Sequence, residues 1–423
     1  MNRREFFELT GCLGLAATSL PGLAKAQSRP SYDGPLFLSI HCGGGWDPTS
    51  FSDPKGRESE DEPNPMNYYL MDDIRRPTMG SGAEESAIRW APMGANDAFF
   101  ERFWSKLLVI NGVDTSTNNH MSGTRHVNSG VLDEGHPCLT SMVAAVHGAS
   151  MPLGFITNGG YDVTRGVVAR TRVGNLNALR QISFPTRIDD ENNYVHDSTF
   201  DTVKRYQQER LQRKLDSIRL PRLKRTLERF KGVHSSENEL SRLESFLPEL
   251  NTFQTGLGRQ GAVALAGYRA GVTVSANLTT GGFDTHGNHD QNQSNALDRL
   301  SIGLAEIWDQ VEMAGLEDKV TILVSSDFGR TPGYNMGNGK DHWPITSMLL
   351  MGAGIRGNRV IGSTTHGHRT KAVNPVTFEE DETGIILTPA HVHRALRETL
   401  NLNDHSVVRD FPLSAELLPI LQG

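Results

Sequence analysis

Three short polar segments carry the residue types needed for metal-assisted hydrolysis. They are Gly281-Gly282-Phe283-Asp284-Thr285-His286, Ser325-Ser326-Asp327-Phe328-Gly329-Arg330-Thr331 and Asp341-His342-Trp343. Each presents Asp, alone or beside His, after an apolar stretch. Carboxylate with neutral imidazole is the ligand set of zinc or manganese, whereas oxygen-only clusters suit calcium or magnesium. In a loop, Asp284 and His286 can both turn to one ion, with His289 close behind. Asp341-His342 adds a second such pair. Arg330, just after Asp327, is either a clamp for an oxyanion or half of an ordinary salt bridge.

A fourth polar concentration is Asn118-Asn119-His120-Met121-Ser122-Gly123-Thr124-Arg125-His126. It follows an apolar run and reads as a helix start, where free backbone N–H groups suit an anion. Ser122 and Thr124 are candidate nucleophiles activated by a metal; the plainer role for any one of these hydroxyls is an N-cap. His391 and His393 sit at a predicted helix start and point to different faces, so they read as surface or packing residues. His366 and His368 fall in a Gly/Thr-rich loop that leaves their role open.

These residues need a scaffold that delivers them to one place. Leu36 to Cys42 reads as a first strand, running into Gly43-Gly44-Gly45-Trp46-Asp47. Lys106 to Ile110, Val272 to Leu278, Val320 to Val324 and Ser347 to Met351 read as further strands. Helix-like segments at 261–270, 296–313 and 388–400 alternate with them, the last opened by Thr388 as N-cap and Pro389 at the first position. Such alternation predicts a mostly parallel sheet with helices on both faces. In that class, ligands bind beyond the C-terminal ends of the strands. Asp47, Asp114, Asp284 and Asp327 all follow predicted strands; Asp114 alone reads better as a turn or cap residue. Residues 52–98 read as a long insertion or lid. Residues 198–246, broken at Pro221, read as a solvated helical hairpin, with a partner contact as the alternative.

The chain's N-terminus reads as an export signal. Arg3-Arg4 precedes Phe6-Phe7, a mildly apolar stretch follows, and Ala24-Lys25-Ala26 fits a cleavage site, so residues 1–26 look like a twin-arginine signal. That places the protein in the periplasm or otherwise outside the cytoplasm, with residues 27–423 as one domain. Net charge is −7 over 423 residues, which gives no footprint for nucleic acid. No internal run reaches transmembrane length. Cys42 and Cys138 remain after the signal; they form either one disulfide or two separate buried thiols. No GxGxxG loop and no CxxC supports a redox or dinucleotide enzyme.

Together the Arg-Arg-x-Phe signal, Gly-Gly-Phe-Asp-Thr-His-Gly-Asn at 281–288, Ser-Asp-Phe-Gly-Arg-Thr at 326–331, Asp-His at 341–342 and the C-terminal Phe411-Pro412 resemble the DUF1501 family. Those are exported bacterial proteins related to the alkaline phosphatase/sulfatase superfamily. The resemblance implies a three-layer α/β/α sandwich with a mostly parallel central sheet and helical and loop insertions. Matched onto this sequence, it implies Asp47, Asp284, His286, Asp327 and His342 as metal ligands. Two departures stand out: Phe328 occupies a position where the superfamily has His, and Asn119 stands near the expected nucleophile.

Two functional readings follow. One is an exported hydrolase that uses a divalent metal, zinc or manganese, on a phosphate or sulfate ester, with an anionic small molecule or a polysaccharide as substrate. The other is a non-catalytic exported protein that binds a polysaccharide or partner protein in the same cleft.

Overall fold

The computed structural model describes residues 32–173, 186–188, 192–235 and 242–422. Residues 1–26, read above as an export signal, lie outside the described residues, as does part of 198–246. In chain order the strands are β1 (Leu36–Gly43), β2 (Leu107–Asp114), β3 (Phe155–Thr157), β4 (Arg170–Arg172), β5 (Ser275–Gly281), β6 (Val320–Ser326), β7 (Gly329–Arg330), β8 (His342–Trp343), β9 (Ile345–Gly352) and β10 (Arg359–Ile361). The helices are α1 (Asn96–Phe103), α2 (His120–Ser129), α3 (Leu139–His147), α4 (Asp197–Ser217), α5 (Pro221–Ser235), α6 (Gly256–Arg269), α7 (His289–Ala314), α8 (Pro389–Thr399) and α9 (Ser406–Arg409).

Eight strands form one sheet in the order β10-β2-β9-β6-β1-β5-β3-β4, and β7 pairs with β8 as a small ribbon. Within the large sheet the antiparallel pairings are β2 with β9 and β6 with β9. Strand β9 alone therefore runs against the rest. The expected mostly parallel α/β/α sandwich is the fold observed.

The two faces of the sheet follow directly from the period-two side-chain alternation of a strand. Leu36, Leu38, Ile40 and Cys42 of β1 pack with Phe99 and Phe100 of α1, Ala264 of α6 and Leu300, Leu304 and Trp308 of α7. Phe37 of the same strand faces the other way. It joins Met142 and Val143 of α3, Val392 and Leu396 of α8 and Val408 of α9. Both faces of the central strands are covered, which is why they read as nearly continuous apolar runs. The sheet also separates the cysteines. Cys42 belongs to one apolar layer and Cys138 to the other, and both are free and buried. Of the two sequence alternatives, separate thiols hold.

Residues 52–98 have little regular structure, yet they are not a loose lid. Ile88 and Trp90 are buried in the first apolar layer, and Trp90 stacks on Phe100 at 5.2 Å between centroids. Helix α8 begins as its sequence implies, with Thr388 as N-cap and Pro389 in the first turn, and the His391 side chain closes the capping box. His393 is a packing residue: buried, with its Nε2 on the Val127 carbonyl of α2 at 2.9 Å.

Burial drives the His393 imidazole down to about 3. An unfolded histidine titrates near 6.5, so between those values the unfolded chain takes up a proton that the folded one does not. The neutral ring's contribution is complete above pH of about 6.5 and is lost as pH falls toward about 3. His126 and His136 are also held low by burial and act in the same direction. Thermal unfolding followed against pH should show stability falling by up to about 1.4 kcal/mol per pH unit through His393, with His126 and His136 adding in the same direction. His393→Gln should flatten that slope; an unchanged slope would sink the assignment.

Candidate metal centre

The C-terminal ends of β1, β2, β5 and β6 lie at one edge of the sheet. Because β9 is reversed, the segment that enters it comes to the same edge. This brings Asp284 and His286, just past β5, together with His342, just ahead of β9. His120 joins them from the first turn of α2, which Asn119 caps by accepting the Ser122 N–H at 3.1 Å.

Asp284 Oδ1 lies 3.1 Å from His286 Nε2, 3.6 Å from His342 Nε2 and 3.6 Å from His120 Nε2. The His286 and His342 Nε2 atoms are 2.9 Å apart. One ligand atom from each of His120, Asp284 and His342 falls within 4.8 Å of the others. Tetrahedral zinc with ligands at about 2.0–2.2 Å sets its ligand atoms roughly 3.3–3.6 Å apart. The distances from Asp284 Oδ1 to the three imidazoles, 3.1–3.6 Å, are close to that size.

The far side of each imidazole fixes its tautomer. His120 Nδ1 meets Asp327 Oδ2 at 2.6 Å, His286 Nδ1 meets Asp341 Oδ1 at 2.9 Å, and His342 Nδ1 meets the Asn118 carbonyl at 2.7 Å. Carboxylates and carbonyls only accept, so each Nδ1 carries the proton. In a neutral ring the Nε2 lone pair is then the face turned to the cluster. Three Nε2 atoms and a carboxylate oxygen converge, and either a divalent cation or protons shared among them must hold the group together. Histidine ligands held through the other nitrogen by a carboxylate or carbonyl are the usual outer shell of a metal site.

Burial opposes ionisation of Asp284, but the hydrogen bond and charge of Arg330, with His120 and His286 nearby, hold its carboxyl below the ordinary value. The hydrogen bond to Asp327 raises His120. Burial, with the charges of Arg330 and the neighbouring rings, lowers His342. Asp327 is buried, a cost outweighed by hydrogen bonds from His120 and His41, so it stays well below the usual carboxylate range.

Asp327 is a junction. Oδ1 pairs with His41 Nε2 at 2.7 Å and accepts the Thr124 hydroxyl at 3.0 Å; Oδ2 meets His120 and accepts the Gly44 N–H at 3.0 Å. Two glycines permit the close approaches that make it. A Cβ at Gly123 in α2 would lie 2.3 Å from the Asp327 carbonyl oxygen, and one at Gly44, whose φ is +119°, would lie 2.4 Å from the Asp284 nitrogen. Gly123→Ala should push α2 off β6, move His120 from the cluster and destabilise by about 1–3 kcal/mol. Melting and metal titration of that variant check it; wild-type values for both would refute it.

The centre opens into a cleft of about 540 Å³ lined by His41, His120, Thr124, Tyr161, Asp284 and Asp327, among others. The DUF1501 family model, described as a protein of unknown function, matches residues 36–405. The chain belongs to the DUF1501 family. No curated protein matches this DUF1501 sequence. Its fold is similar to that of a 2-O GAG sulfatase, at 9% identity and a TM-score of 0.37 over 92% of this chain and 75% of that one. It is also similar to a protein in the alkaline phosphatase superfamily from Vibrio parahaemolyticus, at 9% identity and 0.34 over 87% and 66% of the two chains. A third is alkaline phosphatase from the Antarctic bacterium TAB5, at 8% identity and 0.35 over 88% and 100%.

In this DUF1501 chain Asp284, His286 and His342 stand together, as the sequence implies. Asp327 stands one layer behind them. Asp47 is placed elsewhere and corrects the sequence assignment. It caps a 3-10 turn at Pro48–Ser50 and is fully buried, with Oδ2 2.6 Å from Lys340 Nζ and 3.0 Å from His289 Nε2. A carboxylate neutralised by a buried ammonium is not free for the cluster. Arg330 is also committed: it donates to the carbonyls of Gly44, Gly45 and Lys340 and to Asp284 at 2.7 Å, leaving Asp284 backed by a fixed positive charge rather than a free clamp. Of the two candidate hydroxyls, Thr124 lines the cleft, whereas Ser122 sits beside Arg125 at 3.4 Å. Phe328, standing where a histidine was expected, packs against the His120 and His342 rings at 4.8 and 4.5 Å. Sequence reasoning passed over His120, His41 and the outer-shell role of Asp341. His120 was hidden because its segment read as a helix cap, and His41 because it lies inside a strand.

Proposed function

We propose that the protein is a metal-dependent hydrolase acting on a phosphate or sulfate ester, with His120, Asp284, His286 and His342 holding zinc or manganese. One observation carries this reading: three imidazoles, each fixed through Nδ1, turn their Nε2 atoms onto one carboxylate oxygen. A bound divalent ion supplies Lewis-acid stabilisation of negative charge developing on the ester. The chain's own groups do the rest. Asp327 holds His120 and His41 in place. The Thr124 hydroxyl, donating to Asp327 and 3.4 Å from His41 Nε2, either attacks or orients a water in the cleft. Arg330 keeps Asp284 ionised. The open cleft suits an ester carried on a small molecule or on a polysaccharide, and the Arg3-Arg4 segment supports export by the twin-arginine route.

The experiment measures metal content by mass spectrometry on exported protein, and hydrolysis of p-nitrophenyl phosphate and sulfate with and without chelator. Stoichiometric metal with chelator-sensitive turnover supports the proposal; metal-free, inactive protein ends it. A binding-only reading has one observation in its favour. Both oxygens of Asp327 are already saturated, so the Thr124 hydroxyl faces no free base. Metal present with no turnover of either ester, together with retained polysaccharide binding, would select that reading.

A further inference from the structure

Among the described residues, helix α8 carries a buried cation with no carboxylate partner. Arg397 is 3% exposed, and its Nη1 donates to the Phe411 carbonyl at 2.7 Å. Its Nε and Nη2 have no acceptor. Those two N–H groups form the parallel edge with which a guanidinium grips two oxygens of one carboxylate or tetrahedral oxyanion. Arg394, three residues earlier and so on the same helix face, reaches the Leu413 carbonyl at 3.4 Å, and its Nε also lacks an acceptor.

The charged group acting on Arg397 is Arg394, while Glu416 bears on His391, one turn before Arg394. His136 sets its ring nitrogens on the Pro137 and Phe411 carbonyls at 3.2 and 3.1 Å. His393 Nδ1 is unpartnered. Among the described residues neither arginine has a carboxylate partner. Burial and the charge of Arg394 lower Arg397 only to about 10, so it is charged at neutral pH. An unpaired buried charge is strongly unfavourable. Water satisfies the N–H groups but leaves the charge.

We infer that the Arg394–Arg397 face of α8 binds a small oxyanion, such as phosphate, sulfate or a carboxylate, beside the 411–413 segment. This site is distinct from the metal centre and does not rest on the proposed hydrolase. Its occupant braces α8, which in turn holds α2 through His393 and the Val127 carbonyl.

The full chain is melted in buffer free of chloride and oxyanions, then titrated with sulfate, phosphate or acetate, with chloride at matched ionic strength. Wild type and His342→Ala are both used, so that binding at the metal centre is separated from binding here. The expected result is a saturable rise in Tm with the oxyanions in both proteins, absent with chloride. Arg397→Met should abolish the saturable phase. Arg394→Gln, less disruptive to the fold, should shift its midpoint at least tenfold. A phase missing from His342→Ala, one that chloride reproduces, or one unmoved in both arginine variants overturns the site.

Discussion

Alanine at His342 is expected to strip the protein of its metal. Changes to groups that merely orient a ligand typically cost 10–100-fold in metal affinity, and loss of a ligand should cost at least that. The stability consequence is less obvious and more diagnostic. In metal-free protein, the His342 and His286 Nε2 atoms lie 2.9 Å apart, a hydrogen-bond distance that requires one of them to carry a proton. Removing one ring breaks only that partly exposed bond, so the metal-free variant should melt within about 1 kcal/mol of metal-free wild type. With metal at about 100-fold its Kd, wild type should gain about 2.7 kcal/mol, and His342→Ala should gain almost none. His120→Ala should behave likewise, with the added loss of a partner for Asp327. Calorimetry with and without zinc measures all of this. Equal metal-induced stabilisation of wild type and His342→Ala would remove His342 from the centre.

Lys340→Met is expected to be the most damaging conservative-volume change in the protein. Lys340 and Asp47 are both fully buried, and Nζ lies 2.6 Å from Oδ2, with Asn67 Oδ1 at 2.9 Å from the same ammonium. Breaking a buried pair by removing one partner leaves the other charge uncompensated and costs about 3–5 kcal/mol. For a chain of this size that is a fall in Tm on the order of 10 °C. Adding Asp47→Asn to Lys340→Met should recover part of the loss, because the stranded charge is gone. The pair also has a pH signature. Burial opposes ionisation of Asp47, but Lys340 and His289 overcome it and hold the carboxyl well below the usual range. Its contribution is therefore full above the unfolded carboxyl's pKa of about 3.9 and is lost as pH falls below it. Denaturant melts of the two variants across pH 3 to pH 7 test both points; a single variant as stable as wild type would show that the pair contributes little.

Much of the fold was legible because it rests on apolar patterning. The runs at 36–42, 320–324 and 347–351 are buried on both faces and had to be interior strands. Thr388-Pro389 announced α8 by local capping chemistry alone. Strand direction was not legible: nothing in the side chains of Ile345–Gly352 distinguishes a parallel from an antiparallel neighbour, and β9 proved reversed. The three-residue strands β3, β4 and β10, at or next to the edges of the sheet, were too short to carry a periodic signal.

The site was half legible for a related reason. Asp284-Thr285-His286 and Asp341-His342 are local pairs, and their spacing shows in one dimension. Whether a carboxylate touches the ion or the imidazole behind it depends on a few ångströms of depth. Asp327 and Asp341 lie on the outer side of that distinction. Asp47 needed knowledge of Lys340, which is remote in sequence and becomes its neighbour only when the sheet forms.

The four residues proposed to hold the ion come from three stretches of chain: the start of α2, the turn after β5 and the approach to β9. An ion held among them is a crosslink as well as a reagent. Like a disulfide, it ties segments far apart in sequence and narrows the unfolded ensemble. Since the binding pocket exists only in the folded chain, its binding energy counts as folding energy. Scarcity of metal would then shorten the protein's lifetime before it slowed any reaction, and abundance in the cell would follow supply of the ion.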